Sequence, residues 1–259
     1  MVTDHSATFF KAVNTSSQYD AIAAEYSRTK ASPLREHVEA FSLMRMLGDL
    51  RALSVLDLAC GDGFYTRAIK QAGAAHVVGV DVSEEMIALA CQAESACSLG
   101  IDYYTADVAH MEKLGEFDLV SAAYLLHYAS SEKDLRAMCA NIAAQLKPGG
   151  RLISINENPA QAIEHYAGYT RYGFNKKASH PLSNESLITY MMVSGTKLIK
   201  FDAYYYSAEV YEAALTAAGF TDIVWRPLEL APTLPEGVEP EYFEAYLANP
   251  PVIGLECRL

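Results

Sequence analysis

The feature that most constrains the fold of this chain is a regular alternation, from residue 53 onward, of short apolar runs and longer helical stretches. Each run is β-branched or apolar and too short for a helix, so it predicts a buried strand. This alternation is typical of βα units around a mainly parallel sheet. The predicted strands are Leu53–Leu58, His76–Asp81, Ile101–Tyr104, Phe117–Ala123 and Arg151–Asn156.

The same pattern divides the 259 residues into four segments of one domain. Residues 1–50 are predicted to form an N-terminal helical cover, and residues 51–156 carry the five strands. Residues 157–206 interrupt the alternation and form an insertion after the fifth strand. Residues 207–259 complete the sheet. We therefore expect an α/β, Rossmann-like fold with a seven-stranded, mostly parallel sheet and helices on both faces.

The later segments have recognisable elements of their own. Ile188–Val193 and Thr196–Ala203 flank Ser194-Gly195, which predicts a β-hairpin within the insertion. A helix is predicted over Ser207–Ala218, followed by final strands over Thr221–Leu228 and Val252–Leu259.

Composition and charge exclude several classes of function. Lys and Arg number 20 against 32 Asp and Glu, and a net charge of -12 repels nucleic acid and anionic lipid. No apolar run reaches the length of a membrane span, and the first residues do not resemble a secretory signal, so we expect a cytoplasmic protein without a membrane partner. The five cysteines form no C-x-x-C pair and the histidines have no ligand spacing, which predicts reduced cysteines and no metal site.

A glycine turn follows the first predicted strand directly, in Val55-Leu56-Asp57-Leu58-Ala59-Cys60-Gly61-Asp62-Gly63. Gly61 and Gly63 leave room for a ligand to approach the backbone, and the amides of the following helix favour an anionic group. A dinucleotide fingerprint needs a third glycine at position 66, where this chain has Thr66. The turn therefore favours a ligand other than NAD.

Three carboxylates stand at the ends of consecutive strands: Asp57, Asp81 and Asp107. A carboxylate at Asp81 can accept hydrogen bonds from both hydroxyls of a ribose, and Asp107 can accept one from an exocyclic amine. The carboxyl edge of an open α/β sheet is where such folds bind ligands. Together the three positions predict a site for an adenosine cofactor.

These segments resemble, over residues 53–156, the class I S-adenosylmethionine-dependent methyltransferases. The shared motifs are Val55–Gly63, Val80-Asp81-Val82, Thr105–Val108, Phe117–Val120 and Leu146–Gly150. The resemblance implies S-adenosylmethionine as cofactor, with Asp57 near its ammonium, Gly61 and Gly63 along its methionine part, Asp81 on the ribose, Asp107 on the adenine amine and Val82 and Met86 against the adenine ring. It further implies contacts from Ala106, Val108 and Ala123, and from Tyr19 and Tyr26 of a segment that closes over the cofactor.

The substrate is expected to be a small aromatic or heteroaromatic molecule, because residues 165–206 are rich in aromatic side chains that offer flat faces and hydroxyl groups. The candidate substrate-binding residues are Tyr124, Tyr128, Glu157, Tyr166, Tyr169 and Tyr204. His127 follows the fourth strand and is either a general base or a packed, hydrogen-bonded histidine. Tyr204-Tyr205-Tyr206-Ser207, with the following helix and Ala218-Gly219-Phe220, also resembles small-molecule members of this family, including the toxoflavin-type azaheterocycle N-methyltransferases.

The sequence thus predicts a methyltransferase that acts on N or O of a small metabolite, as a monomer or homodimer. Two alternatives stay open. A nicotinamide-dependent oxidoreductase shares the strand, the glycine turn and the ribose carboxylate, but leaves Asp107 without a role. A protein that binds S-adenosylmethionine without transferring its methyl group would share the whole fold.

Overall fold

A computed structural model describes residues 19–23, 25–26 and 32–259. Most of the predicted N-terminal cover therefore lies outside the described residues. The strands are β1 Ser54–Leu58, β2 His76–Asp81, β3 Asp102–Thr105, β4 Phe117–Ala123, β5 Leu146–Glu157, β6 Phe174–Ala178, β7 Ser186–Ser194, β8 Lys197–Tyr205, β9 Thr221–Arg226 and β10 Val252–Arg258. The helices are α1 Phe41–Leu47, preceded by a π-helical turn Arg35–Ala40, then α2 Phe64–Gln71, α3 Glu84–Ala96, α4 Glu132–Gln145, α5 Ala208–Ala217 and α6 Glu244–Ala248.

Seven strands form one sheet in the order β3-β2-β1-β4-β5-β10-β9. β1 to β5 run parallel to one another, and β10 lies antiparallel between β5 and β9. The predicted fold class, a Rossmann-like and mostly parallel sheet, is confirmed. The order reverses beside β1, between β1 and β4, which places a topological switch point at the carboxyl ends of these two strands.

The central strands β1, β2 and β4 are buried on both faces, which explains why they are mainly apolar runs rather than alternating ones. Along β1, Val55 packs toward α1 and α2, and Leu56 packs toward α4 and α5. Each fully buried aliphatic side chain of this kind contributes roughly 1.5 to 3 kcal/mol. Helix α3 begins where predicted, because Ser83 Oγ accepts a hydrogen bond of 3.2 Å from the Met86 amide.

The insertion builds a second, three-stranded antiparallel sheet in the order β6-β7-β8. β7 and β8 form the hairpin about Gly195, whereas β6 is absent from the sequence-based expectations. β6 has the sequence Phe-Asn-Lys-Lys-Ala, whose polar centre carries no strand signal. Among the described residues, no helix combines the length and apolar character needed to cross a bilayer.

Candidate active site

A cavity opens at the carboxyl ends of β1, β2 and β4, with an empty volume of about 910 Å³, its open mouth included. We call it the first cavity. It lies at the switch point of the sheet, where open α/β folds bind ligands. Nearly all the residues predicted for a cofactor line it: Tyr19, Tyr26, Gly61, Asp81, Val82, Met86, Ala106, Asp107, Val108 and Ala123.

Asp81 ties the glycine turn to the end of β2. Its Oδ2 accepts a hydrogen bond of 2.8 Å from the Gly61 amide, and its Oδ1 accepts one of 2.9 Å from the Ser83 amide. The side chain is 9% exposed and faces the first cavity. Each carboxylate oxygen accepts more than one hydrogen bond, so Asp81 can shape the turn and still bind a ligand.

Asp107 keeps a more open position. It accepts hydrogen bonds of 2.9 Å from the Ala109 amide and from Nδ1 of His110, and about half of its side chain is exposed. This leaves acceptor capacity toward the first cavity, whose wall it shares with Ala106 and Val108.

Two residues expected to touch the cofactor, Asp57 and Gly63, are placed differently. Asp57 is buried, accepts a hydrogen bond of 2.7 Å from Thr66 Oγ1 and does not line the first cavity. Gly63 has φ +81° and a Cβ there would come within 2.5 Å of Tyr103 Oη, so the glycine is required by the turn and by Tyr103. Both residues therefore shape the turn from behind the first cavity, and their contact with a cofactor stays a prediction.

A second cavity, of about 730 Å³ with its mouth included, adjoins the first. The two share Tyr26, Arg35, Tyr124 and Tyr128 in their walls. Tyr124 follows β4 directly and has φ +64°, a backbone region that non-glycine residues rarely adopt. The residue with this unusual backbone conformation lines both cavities.

Aromatic rings form much of the second cavity. Tyr190 and Phe201 lie opposite each other on β7 and β8 and stack with centroids 5.0 Å apart. Phe174 stacks on the other side of Tyr190, and Tyr26 meets Phe201 edge-on at 5.5 Å. Phe174, Tyr190 and Phe201 all belong to the aromatic-rich residues 165–206, whereas Tyr166, Tyr169 and Tyr204, which were singled out there as candidate substrate-binding residues, do not line this cavity.

The predicted substrate residues divide into three groups. Tyr124 and Tyr128 line the second cavity. Tyr204 lines a third, acidic cavity beside Asp107. Glu157, Tyr166 and Tyr169 line none of the three and are buried behind the aromatic wall, which corrects their expected contact with a substrate.

Glu157 and Lys176 form an ion pair of 2.7 Å whose side chains are 2% and 0% exposed. The hydroxyl of Tyr190 donates a hydrogen bond to the other Glu157 oxygen, and the Lys176 ammonium lies 4.1 Å from the centroid of the Tyr166 ring. Burial lowers the pKa of Lys176, and the Glu157 charge opposes that shift. The pair joins β5 of the large sheet to β6 and β7 of the small one.

His127 lines the second cavity with its Nδ1 already engaged, because this atom accepts a hydrogen bond of 3.2 Å from the Glu157 amide. Burial, with the Lys176 charge adding to it, lowers the pKa of His127 to about 3. The neutral ring therefore carries its proton on Nε2 and offers a donor. The geometry contradicts the general-base hypothesis, since the one lone pair points at the backbone.

Arg35 is the cation that sequence analysis missed. It is buried, lines both cavities, and its guanidinium carbon lies 4.4 Å from the Phe64 ring centroid and 4.8 Å from that of Tyr65. Its Nε has no hydrogen-bond partner among the described residues. Phe174, Tyr190 and Phe201 belong to the aromatic-rich residues 165–206 but were not among the candidate substrate-binding residues, although the two-residue alternation along the hairpin strands puts Tyr190 on one face with Ile188 and Met192.

The described part of the N-terminal segment covers the first cavity. The hydroxyl groups of Tyr19 and Tyr128 are hydrogen-bonded, and Asp20 accepts a hydrogen bond of 2.6 Å from Ser83 Oγ. Glu25 pairs with Lys197 at the hairpin turn. The segment thus contacts the N-cap of α3, which packs on the large sheet, and β8 of the small sheet. Within the described ranges, no three His, Cys, Asp or Glu side chains are grouped to hold a metal ion.

Residues 55–150 match the family model described as a methyltransferase domain. A ubiquinone biosynthesis O-methyltransferase of Coxiella burnetii is 36% identical over 112 residues, 42% of this chain and 46% of the relative. An uncharacterised protein of Haemophilus influenzae is 28% identical over 141 residues, 52% of this chain and 54% of the relative. The chain spans about half the length of the curated relatives it matches.

Solved structures match over a larger part of the chain. The S-adenosylmethionine-dependent methyltransferase of Mesorhizobium loti has a TM-score of 0.60 at 22% identity and covers 89% of this chain and 100% of its own. The CcbJ methyltransferase of Streptomyces caelestis has a TM-score of 0.66 at 15% identity and covers 96% and 99%. Residues 55–150 are therefore similar to a methyltransferase domain, and the chain has the fold of S-adenosylmethionine-dependent methyltransferases.

Proposed function

We propose that this protein transfers the methyl group of S-adenosylmethionine to a small molecule. The observation that carries the proposal is the pair of adjoining cavities, which share four residues in their walls. One lies over the glycine turn and the carboxylates of Asp81 and Asp107, and the other is walled by aromatic rings. Two substrates can thus meet at their common boundary. In this proposal residues 51–156 hold the cofactor, and residues 157–206 supply most of the second cavity.

The first cavity fits S-adenosylmethionine in its polar groups. Asp81 would accept hydrogen bonds from the ribose hydroxyls, and Asp107 one from the adenine amine, with Val82 and Met86 against the ring. Arg35, whose Nε has no hydrogen-bond partner among the described residues, would bind the carboxylate of the methionine part. Loaded with this cofactor, the site contains an activated methyl group on a sulfonium.

The residues around the boundary would act mainly by orientation and by excluding water. Methyl transfer needs the acceptor atom, the methyl carbon and the sulfur in line, and holding that arrangement in a closed site can supply most of the rate enhancement. Tyr19 and Tyr26 close the first cavity, and His127 would donate a hydrogen bond from Nε2 to a substrate atom other than the one that is methylated.

The test combines cofactor binding with label transfer. Calorimetry with S-adenosylhomocysteine should show binding that Asp81→Ala weakens about tenfold or more, since a charged acceptor is worth roughly 1.5 to 3 kcal/mol. Asp102→Ala is the matched control, because this carboxylate is exposed at the start of β3. Methyl-labelled S-adenosylmethionine, incubated with the protein and fractionated metabolites, should give a labelled product by mass spectrometry.

Three results would overturn the proposal or part of it. Unchanged affinity in Asp81→Ala contradicts the ribose assignment. Binding of S-adenosylhomocysteine without label in any fraction favours a binding protein that does not transfer methyl groups. Binding of NADH in place of S-adenosylhomocysteine favours the alternative function, a nicotinamide-dependent oxidoreductase.

A further inference from the structure

A second charged residue of the N-terminal part, Glu39, lines the second cavity. It follows Arg35 by four residues in the π-helical turn, and its Oε1 accepts a hydrogen bond of 2.9 Å from the Tyr246 hydroxyl. Its negative charge acts on its neighbours: burial raises the pKa of Tyr124 and of Tyr246, and the Glu39 charge is the next cause in both. Glu39 thus faces the boundary residue Tyr124.

The charges around the second cavity are otherwise balanced. Lys176 is paired with Glu157 behind the aromatic wall. Arg35 lies against Phe64 and Tyr65, lines both cavities and interacts electrostatically with Glu39. In the proposed function the cofactor carboxylate would meet the Arg35 charge from the first cavity. With the cofactor carboxylate on Arg35, the charge of Glu39 would be left without a counter-charge, because the hydrogen bond to Glu39 from Tyr246 comes from a neutral group.

The aromatic rings of the cavity favour the same sign of ligand charge. The faces of tyrosine and phenylalanine rings carry negative potential and attract ammonium groups, the more so in a site that excludes water. Phe174, Tyr190 and Phe201 cover one another's faces by stacking, and the further tyrosines that line this cavity are Tyr124, Tyr128, Tyr172 and Tyr246. A carboxylate among such rings is a recognition site for an organic cation.

We propose that the methyl acceptor is a primary or secondary amine on a small aromatic molecule, bound as its ammonium ion by Glu39 and by the rings of the second cavity. This inference rests on the proposed function and selects nitrogen rather than oxygen as the acceptor atom. The negative net charge of the chain would also favour the encounter with a cation.

The chemistry balances with the groups present. The ammonium gives one proton to the Glu39 carboxylate, which frees the nitrogen lone pair. The nitrogen lone pair forms the new N–C bond while the C–S bond breaks. The electron pair of the C–S bond stays on sulfur, which becomes a neutral thioether. The proton leaves to solvent with the product, so Glu39 returns to its starting state.

Binding of an unreactive probe tests the site without methyl transfer. With S-adenosylhomocysteine saturating, calorimetry compares benzyltrimethylammonium, 2-phenylethanol and phenylacetate, three aromatic probes that are cationic, neutral and anionic. We expect the cation to bind at least tenfold more tightly than either of the others. Glu39→Gln should weaken the cation about tenfold or more and change the affinity for S-adenosylhomocysteine less than twofold.

The matched control is Glu36→Gln, which removes the same charge from an exposed position of the same turn and should leave all affinities within twofold. The comparison of the three probes on the unaltered protein needs no variant and so does not depend on the folding of Glu39→Gln. Tighter binding of phenylacetate, or a cation affinity that Glu39→Gln leaves unchanged, overturns the inference. Failure of S-adenosylhomocysteine to bind, with cation binding intact, overturns the proposed function and leaves the cation site standing.

Discussion

His127 is held in one protonation state by its surroundings. The folded protein keeps the imidazole neutral down to a pH of about 3, whereas the unfolded chain takes up a proton as the pH falls through the ordinary value of about 6.5. Protons are thus bound preferentially by the unfolded state between these two values. The free energy of unfolding must fall in this window as the medium becomes more acidic, by up to about 1.4 kcal/mol per pH unit.

We expect His127→Gln to lose this dependence. The drop in the free energy of unfolding between pH 7.5 and pH 5.0 should be about 2 kcal/mol smaller in the variant than in the unaltered protein. Urea denaturation at the two pH values measures it, and His76→Gln, at an exposed position in β2, is the control. An equal drop in both proteins would mean that the His127 ring is protonated in the folded state.

The single residues that sequence reasoning placed well are those whose position follows from strand order. Asp81 and Asp107 line the first cavity because parallel strands bring their carboxyl ends to one edge. Asp57 lies within β1 rather than at its end, so its side chain is buried beneath the turn. Arg35 could not be predicted, because its place depends on how the N-terminal turn packs across the sheet.

At the scale of elements, the small sheet is attached to the large one by a buried ion pair. Lys176 of β6 and Glu157 of β5 are both buried away from water. The Lys176 ammonium nitrogen also lies 3.5 Å from the Pro251 carbonyl oxygen. Removal of one partner leaves a buried charge without its counter-charge, which costs roughly 3 to 5 kcal/mol. The second cavity depends on this attachment, because Tyr190, which lines it, donates a hydrogen bond to the Glu157 carboxylate.

We therefore expect Lys176→Met to lower the free energy of unfolding by about 3 to 5 kcal/mol. The double variant Lys176→Met/Glu157→Gln should be more stable than Lys176→Met, since the amide is neutral and still accepts from Tyr190. Urea denaturation of the parent, Lys176→Met, Glu157→Gln and the double variant gives the coupling energy between the two residues. Lys177→Met, at the neighbouring exposed position of β6, should stay within about 0.5 kcal/mol of the parent. A loss below 1 kcal/mol in Lys176→Met would show that Glu157 is solvated or protonated.

Elements with a strong hydrophobic pattern were predictable, and those held by polar contacts were not. β1, β2 and β4 are continuous apolar runs buried on both faces. β6 is formed instead by pairing to β7 and by the buried Lys176, an arrangement that depends on a carboxylate 19 residues earlier in the chain. β5 also begins earlier than predicted, at Leu146, because this residue pairs with Phe117 of β4, and Gly149 and Gly150 are hydrogen-bonded to Leu259.

For the whole molecule, binding of the proposed cofactor should raise the free energy of unfolding. The first cavity is walled by the glycine turn, by β4 and by the N-terminal segment, so a ligand there contacts parts of the chain that are distant in sequence. At 100 times its dissociation constant, a ligand that binds only the folded state adds about 2.7 kcal/mol. In a protein of this size that raises the melting temperature by about 5 to 10 °C.

Differential scanning fluorimetry with S-adenosylhomocysteine measures this shift. We expect it to shrink in Asp81→Ala and to persist in Glu39→Gln, which belongs to the other cavity. NADH at the same excess should give no shift. A shift with NADH and none with S-adenosylhomocysteine would assign the first cavity to a dinucleotide.

The position of β10 has a consequence for biosynthesis. Residues 252–258 form an internal strand, hydrogen-bonded to β5 on one side and β9 on the other. During synthesis, β1 to β5 can pair before residue 252 leaves the ribosome. Until β10 is available, the edge of β5 is unpaired and β9 has no neighbouring strand. Such an edge invites association with other chains. Nascent protein is therefore most prone to aggregation in the interval between synthesis of β5 and release of residue 258.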